Sequence, residues 1–265
     1  MSILNELVAE ICAEEGIGYT EFSHGYVLRL TKGDKRRLIY GFHFDVNGAA
    51  ADLIAGDKVA CYSLLTESGV PAIEHKLFFN PRIRANWLGE EGGWRPVFDY
   101  FETNGRRIVA KLNKGTQGRD VYLCEDIVSL ERAVQTIFTY VPDVALSPFY
   151  DIETEYRVFV VQGQAVFAYG KLRGEESWKH NLSQGAQVVE VADDKLLAAL
   201  IKQAEAAAAA IGISFCTVDI ADTHKGLLVM EINSGVATQK LVEQMPHLRG
   251  KAKEIYAAAI HGMFS

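Results

Sequence analysis

The sequence predicts an α+β fold, and three observations carry that expectation. Strand-like apolar runs and amphipathic helical stripes alternate along the 265 residues without the strict strand–helix–strand order of a parallel sheet. Several of the runs are joined by short turns rich in Gly, Asp and Lys, as in antiparallel hairpins. Hydrophobic residues make up 49% and charged residues 23%, the balance of a soluble globular chain long enough to bury a sizeable core.

Leu4, Leu7, Val8 and Ile11 mark a helical stripe over residues 3–12, closed by Gly16. Residues 26–30 and 37–42 flank KGDKR as a hairpin. A helix is expected from 51 to 69, stopped by Gly69 and Pro71, and the segment 80–93, rich in Pro, Gly, Trp and Arg, reads as irregular. Short strands are expected at 107–111 and 120–123. A helix at 127–140 follows, with Leu130, Val134 and Ile137 on one face. Residues 156–161 and 164–169 form a hairpin around Gln162-Gly163, and 171–187 reads as a polar loop. An alanine-rich helix at 193–211 stops at Gly212, strands at 214–220 and 227–232 follow, and a helix at 251–263 ends the chain.

Composition narrows the function. A net charge of -7, from 27 basic and 34 acidic residues, argues against nucleic acid or an anionic membrane surface as partner, though it leaves room for a local basic pocket. Cys12, Cys61, Cys124 and Cys216 are scattered and form no CxxC pair, so reduced thiols of a cytoplasmic protein are expected rather than a zinc site or disulfides. The opening MSILNELVAEICAEEG is acidic and lacks a long apolar core, which fits neither a signal peptide nor a membrane span.

Two stretches carry chemistry. In KLNKGTQG, Lys111 to Gly118, a lysine and two glycines three apart follow the apolar run Ile108-Val109-Ala110. Such a segment is a hairpin turn or a loop whose amides face an anion. In TVDI and LVMEINSG, strand alternation puts Glu231 and Asn233 on one face, and the connection ADTHKG suits an antiparallel return that brings Asp219 near Glu231. Two carboxylates and an amide oxygen are the hard ligands that Mg²⁺ prefers; the plain alternative is a solvated strand face.

In their order and separation, IVAKLNKGTQG and LLVMEINSG resemble the ATP-grasp carboxylate–amine ligases. The branches most similar are the glutamate-adding ligases of a ribosomal protein's C-terminus (RimK-like) and the cyanophycin-synthetase-like enzymes. The resemblance covers about residues 57–237, roughly two thirds of the chain. It implies two α+β lobes clasping a nucleotide: a short N-terminal helix-hairpin extension (1–56), a first lobe with the glycine loop (57–147) and a second lobe with the metal site (148–265).

The same resemblance implies site residues. Lys58 and Lys111 match the two nucleotide lysines, and Gly115, Thr116, Gln117 and Gly118 lie in the loop that closes over the phosphates. Phe149 and Tyr150 lie near the adenine segment, although Pro148 stands where the family has an acidic residue. Glu155 matches the acid that binds ribose. Lys179, His180 and Asn181 match a segment reaching phosphates and metal. Arg157 and Arg173 are candidates for the acyl-phosphate oxygens, and Asp219, Glu231 and Asn233 match the Mg²⁺ ligands, with Mn²⁺ as a substitute.

The implied reaction is ATP-dependent amide formation through an acyl-phosphate, on amino acids or peptides. A phosphotransferase or a non-catalytic nucleotide-binding module are the rival readings. Related ligases begin with a longer pre-ATP-grasp domain than the roughly 56 residues before Asp57, so a homodimer completing the site through residues 1–50 is expected.

Overall fold

A computed structural model describes residues 2–82, 93–115, 118–152, 154–174, 182 and 185–265. Within them lie three antiparallel sheets and eight α-helices. Among the described residues no helix is long and apolar enough to cross a membrane.

The chain starts with α1 (Ile3–Glu15), capped at its start by the Ser2 side chain and at its end by Gly16 in the left-handed region. The expected hairpin is part of a four-stranded sheet, β1 (Gly18–Phe22), β2 (Val27–Lys32), β3 (Lys35–Tyr40) and β4 (His43–Phe44), in that order. Its apolar face, with Leu28, Leu30 and Ile39, packs on α1 and on the C-terminal helix Arg249–Phe264.

The single helix expected at 51–69 is two, α2 (Ala49–Ala55) and α3 (Lys58–Glu67). Between them Asp57 caps α3, accepting a hydrogen bond from the Ala60 amide at 3.0 Å. Beyond α3, the Ile73 amide donates to the Val229 carbonyl and the Val229 amide to the Pro71 carbonyl, each at 2.9 Å.

A second sheet, in the order β5-β8-β6-β7, comprises β5 (Lys76–Phe79), β6 (Ile108–Lys111), β7 (Val121–Cys124) and β8 (Asp143–Pro148). Helices α4 (Trp94–Thr103) and α5 (Ile127–Phe138) cover one face. The predicted stripe Leu130, Val134 and Ile137 meets Ile108, Ala110 and Leu146 there, each large side chain contributing about 1.5–3 kcal/mol on burial. The alternate positions Val109, Lys111 and Ser147 face the other way, into a cleft.

The third sheet runs β11-β10-β9-β12-β13: β9 (Thr154–Val161), β10 (Gln164–Leu172), β11 (Gln187–Glu190), β12 (Phe215–Thr223) and β13 (Gly226–Asn233). Helix α6 (Asp194–Ile211) packs its alanines Ala204, Ala207 and Ala208 against one face, together with Cys61 and Leu65 of α3. After β13 come α7 (Gln239–Gln244) and α8 (Arg249–Phe264).

The opposite face changes character along its strands. In register, Val161 pairs with Phe215, Phe159 with Thr217, Arg157 with Asp219 and Glu155 with Ala221. The Phe159–Phe215 end is buried under the N-terminal sheet and α8. The Arg157–Glu155 end carries charge and borders the cleft.

Candidate functional site

A cleft of about 120 Å³ lies between the second and third sheets. Lys58, Lys111, Gly115, Gly118, Phe149, Tyr150, Glu155 and Glu231 line it, so eight of the residues singled out in the sequence share one cavity.

Asn113 and the start of α3 bring Lys58 and the glycine loop together. The Asn113 Nδ2 donates to Asp57 Oδ1 at 3.0 Å, its Oδ1 accepts from the Val59 amide at 3.1 Å, and its carbonyl accepts from the Lys58 amide at 3.3 Å. The Lys58 ammonium donates to the Gly115 carbonyl at 2.7 Å and stands 3.9 Å from Glu231 Oε2. Gly115 is required: a Cβ there would lie 2.7 Å from Leu112 Cβ.

Lys111 ends β6 with 9% exposure, and its ammonium makes, among the described residues, no hydrogen bond or ion pair. Burial, then Lys58, pushes its ammonium down to about 8, with Glu231 acting in the opposite direction. His75, just before β5, is equally enclosed, and its Nε2 has no partner. Burial first, then Lys111 and Lys58, holds that imidazole well below its usual range and hence neutral.

The facing wall is a row of paired charges. Asp219 and Glu231 are directly opposite in the β12–β13 register, and Asn233 opposes Thr217 on the same face. Arg157 grips Asp219 through two hydrogen bonds, Nε to Oδ1 at 2.8 Å and Nη2 to Oδ2 at 2.6 Å. Lys171 contacts Glu155 Oε1 and lies 3.3 Å from Asp219 Oδ1. Burial opposes ionisation of Asp219, but Arg157 and then Lys171 outweigh it and hold the carboxyl well below the usual range.

The Asn233 Nδ2 sits between the two acids, 3.3 Å from Asp219 Oδ2 and 3.2 Å from Glu231 Oε1. Turning the amide over presents its oxygen at the same point. The three side chains then offer hard oxygens converging on one position, a donor set that fits Mg²⁺ or Mn²⁺. Among the described residues no three His, Cys, Asp or Glu side chains gather as a metal cage.

At the other end of the cleft the Arg107 guanidinium lies 4.0 Å from the Phe149 ring centroid, and the Lys225 ammonium 5.2 Å from that of Tyr150. Tyr150 also stacks on His224 at 5.9 Å. Both aromatics line the cleft, and Tyr150 also packs against the cluster of Ile73, Ala221 and Leu228.

Arg173 is not brought to the row. It is about half exposed and pairs with Asp151 at 3.3 Å. Thr116, Gln117, Lys179, His180 and Asn181 lie outside the described residues.

Lys171 and His75 escaped sequence reasoning, and Asn113 was expected only as part of the phosphate loop, not as its tie to α3. Asn113 makes its contacts with an element more than fifty positions earlier in the chain. Lys171 falls in β10, which extends to Leu172 instead of ending in a loop at 171. The hairpin register of the turn, carried on, would have put Lys171 opposite Thr154; a bulge between Ala165 and Phe167 shifts the pairing by one residue and brings it opposite Glu155. His75 had no motif to mark it.

Comparison with known proteins agrees with this layout. Residues 55–247 match the model of the RimK-like ATP-grasp domain. A protein of Shewanella loihica named "Probable alpha-L-glutamate ligase" is 32% identical over 195 residues, which are 72% of this chain and 59% of that protein. One of the same name from Vibrio atlanticus is 30% identical over 195 residues, with the same coverage. The chain therefore spans about three fifths of the length of these relatives, 59%.

Among solved structures, the D-alanine–D-alanine ligase of Bacillus anthracis complexed with ATP superposes with a TM-score of 0.63 at 18% identity, covering 82% of this chain and 69% of that one. The D-cycloserine synthetase DcsG does so with 0.57 at 20%, covering 78% and 70%. At such identities they establish the fold alone, two α+β lobes around a cleft. With a family model spanning both lobes and the charged row, the chain belongs to the RimK-like ATP-grasp family.

Proposed function

We propose that this chain joins a carboxylate to an amine at the expense of ATP, acting on an amino acid or peptide. The names of its relatives point to L-glutamate as one substrate. The observation that carries the reading is the convergence of Asp219, Glu231 and Asn233, with Glu231 lining the same cleft as Lys58 and Lys111. A carboxylate and an amine do not condense favourably in water, so the acid needs activation. ATP supplies the phosphoryl group for an acyl-phosphate, and a divalent cation on the acidic row screens its charge.

The chain's own residues would do the rest. Lys111, buried and without an acid partner of its own, holds a cation that a phosphate satisfies. Lys58 ties the glycine loop to the cleft through the Gly115 carbonyl, and the loop amides complete an anion cradle. Phe149 and Tyr150 wall the base end, with Glu155 beside them. Arg157 acts through Asp219, which it fixes in place. Closure of the loop would exclude water that otherwise hydrolyses the activated acid.

The test is a screen of amino acids, L-glutamate first, for ADP release with Mg²⁺. Mass spectrometry then looks for a product equal to acid plus amine less water. A phosphorylated product without an amide refutes the ligase reading.

A further inference from the structure

Every acid of the row already faces a basic side chain. Lys171 is shared by Glu155 and Asp219, Arg157 grips Asp219, and Lys58 approaches Glu231. The Lys171, Glu155 and Asp219 side chains are 4%, 6% and 2% exposed. A divalent cation arriving alone would meet carboxylates whose charge is balanced, and Lys111 nearby adds repulsion. It would have to displace a buried ammonium or charge a buried neutral set, and both are costly. A polyphosphate reverses the balance, because its negative charges satisfy Lys111 and Lys58 while accompanying the metal.

We propose that Lys171 is a positioning residue that keeps the row closed to free divalent cation, so that metal enters only together with a polyphosphate. The proposal rests on the reading of Asp219, Glu231 and Asn233 as the metal set. Lys171 is the pivot because, among the described residues, it is the basic side chain of the row that touches two of the acids. Without its ammonium, Glu155 and Asp219 share an excess of negative charge, which is what a divalent cation seeks.

Titration of the full chain with Mn²⁺, read from the loss of the free-ion electron paramagnetic resonance signal, tests this without any turnover. After subtraction of the Mn²⁺ that the analogue holds in protein-free solution, the wild type takes up little Mn²⁺ alone and binds it at least tenfold more tightly with a non-hydrolysable ATP analogue, a coupling of ordinary size. Lys171→Met binds Mn²⁺ at least tenfold more tightly than the wild type when no nucleotide is present. Lys171→Arg, which keeps the charge, behaves like the wild type. The double variant Lys171→Met with Glu155→Gln removes the pair as a unit and returns toward wild-type behaviour; its pairing also keeps the test alive if the single variant fails to fold. Equal Mn²⁺ affinity of the wild type with and without the analogue overturns the proposal. So does a folded Lys171→Met, or a folded Lys171→Arg, that departs from these expectations. A chain that shows the Mn²⁺ pattern yet forms no amide refutes the ligase reading and leaves this one standing.

Discussion

On the β6 wall of the cleft, the Lys111 ammonium is buried without an ion pair or hydrogen bond among the described residues, and His75 keeps an unpartnered Nε2. On the wall of β9, β10, β12 and β13, Lys171 and Asp219 are at least as buried and both are paired, with Arg157 as a further partner. The first wall holds a buried cation at a cost in stability, as the proposed phosphate role of Lys111 requires. The second has its charges assembled in advance, so it orients ligands without first reorganising. Asn233 lies between the two carboxylates without adding a third negative charge, which suits the proposed metal set.

The largest expected effect is on the paired wall. Glu231→Gln removes a carboxylate from the donor set while keeping its shape, and turnover should fall on the order of a thousandfold, several kcal/mol of lost charge stabilisation. A non-hydrolysable ATP analogue should still bind, weakly, by calorimetry. Ordinary activity of this variant with Mg²⁺ would remove Glu231 from the site.

A smaller effect sharpens the contrast from the other wall. The Lys111 ammonium is pushed down to about 8 from the usual 10.5, so between these values the unfolded chain binds more protons than the folded one. The cost of burying the charge is therefore fully present below about pH 8 and is recovered as the pH rises toward 10.5. By linkage it is on the order of 3 kcal/mol. Lys111→Met should be more stable than the wild type at pH 7 without nucleotide, with the gap closing by about pH 10. Denaturant midpoints across that range measure it. A variant less stable than the wild type at pH 7 would show that Lys111 is already satisfied.

Much of the site could be read in the chain because it obeys short-range rules. Alternation put Glu231 and Asn233 on one face, and a short turn returned Asp219 to them. The glycine spacing marked the loop. What escaped depends on partners far apart in sequence. Strand β8 has only three apolar residues in a row, Val144 to Leu146, and β5 has four residues, both too few to show a period. Gly56 ends α2 and the next residue caps a new helix, so one periodic stretch became two. Arg173 resembled Arg157 in spacing and type, yet it lies beyond the end of β10 and turns to Asp151 at the surface.

The central claim is that this cleft activates a carboxylate for attack by an amine, and hydroxylamine trapping tests it most directly. With ATP, Mg²⁺ and the correct acid, but without the amine substrate, the enzyme should yield a hydroxamate. Lys111→Ala should lose that signal, because the cation facing the transferred phosphoryl group is gone. A phosphorylated product that withstands hydroxylamine, formed at the same rate as ADP, would contradict the account.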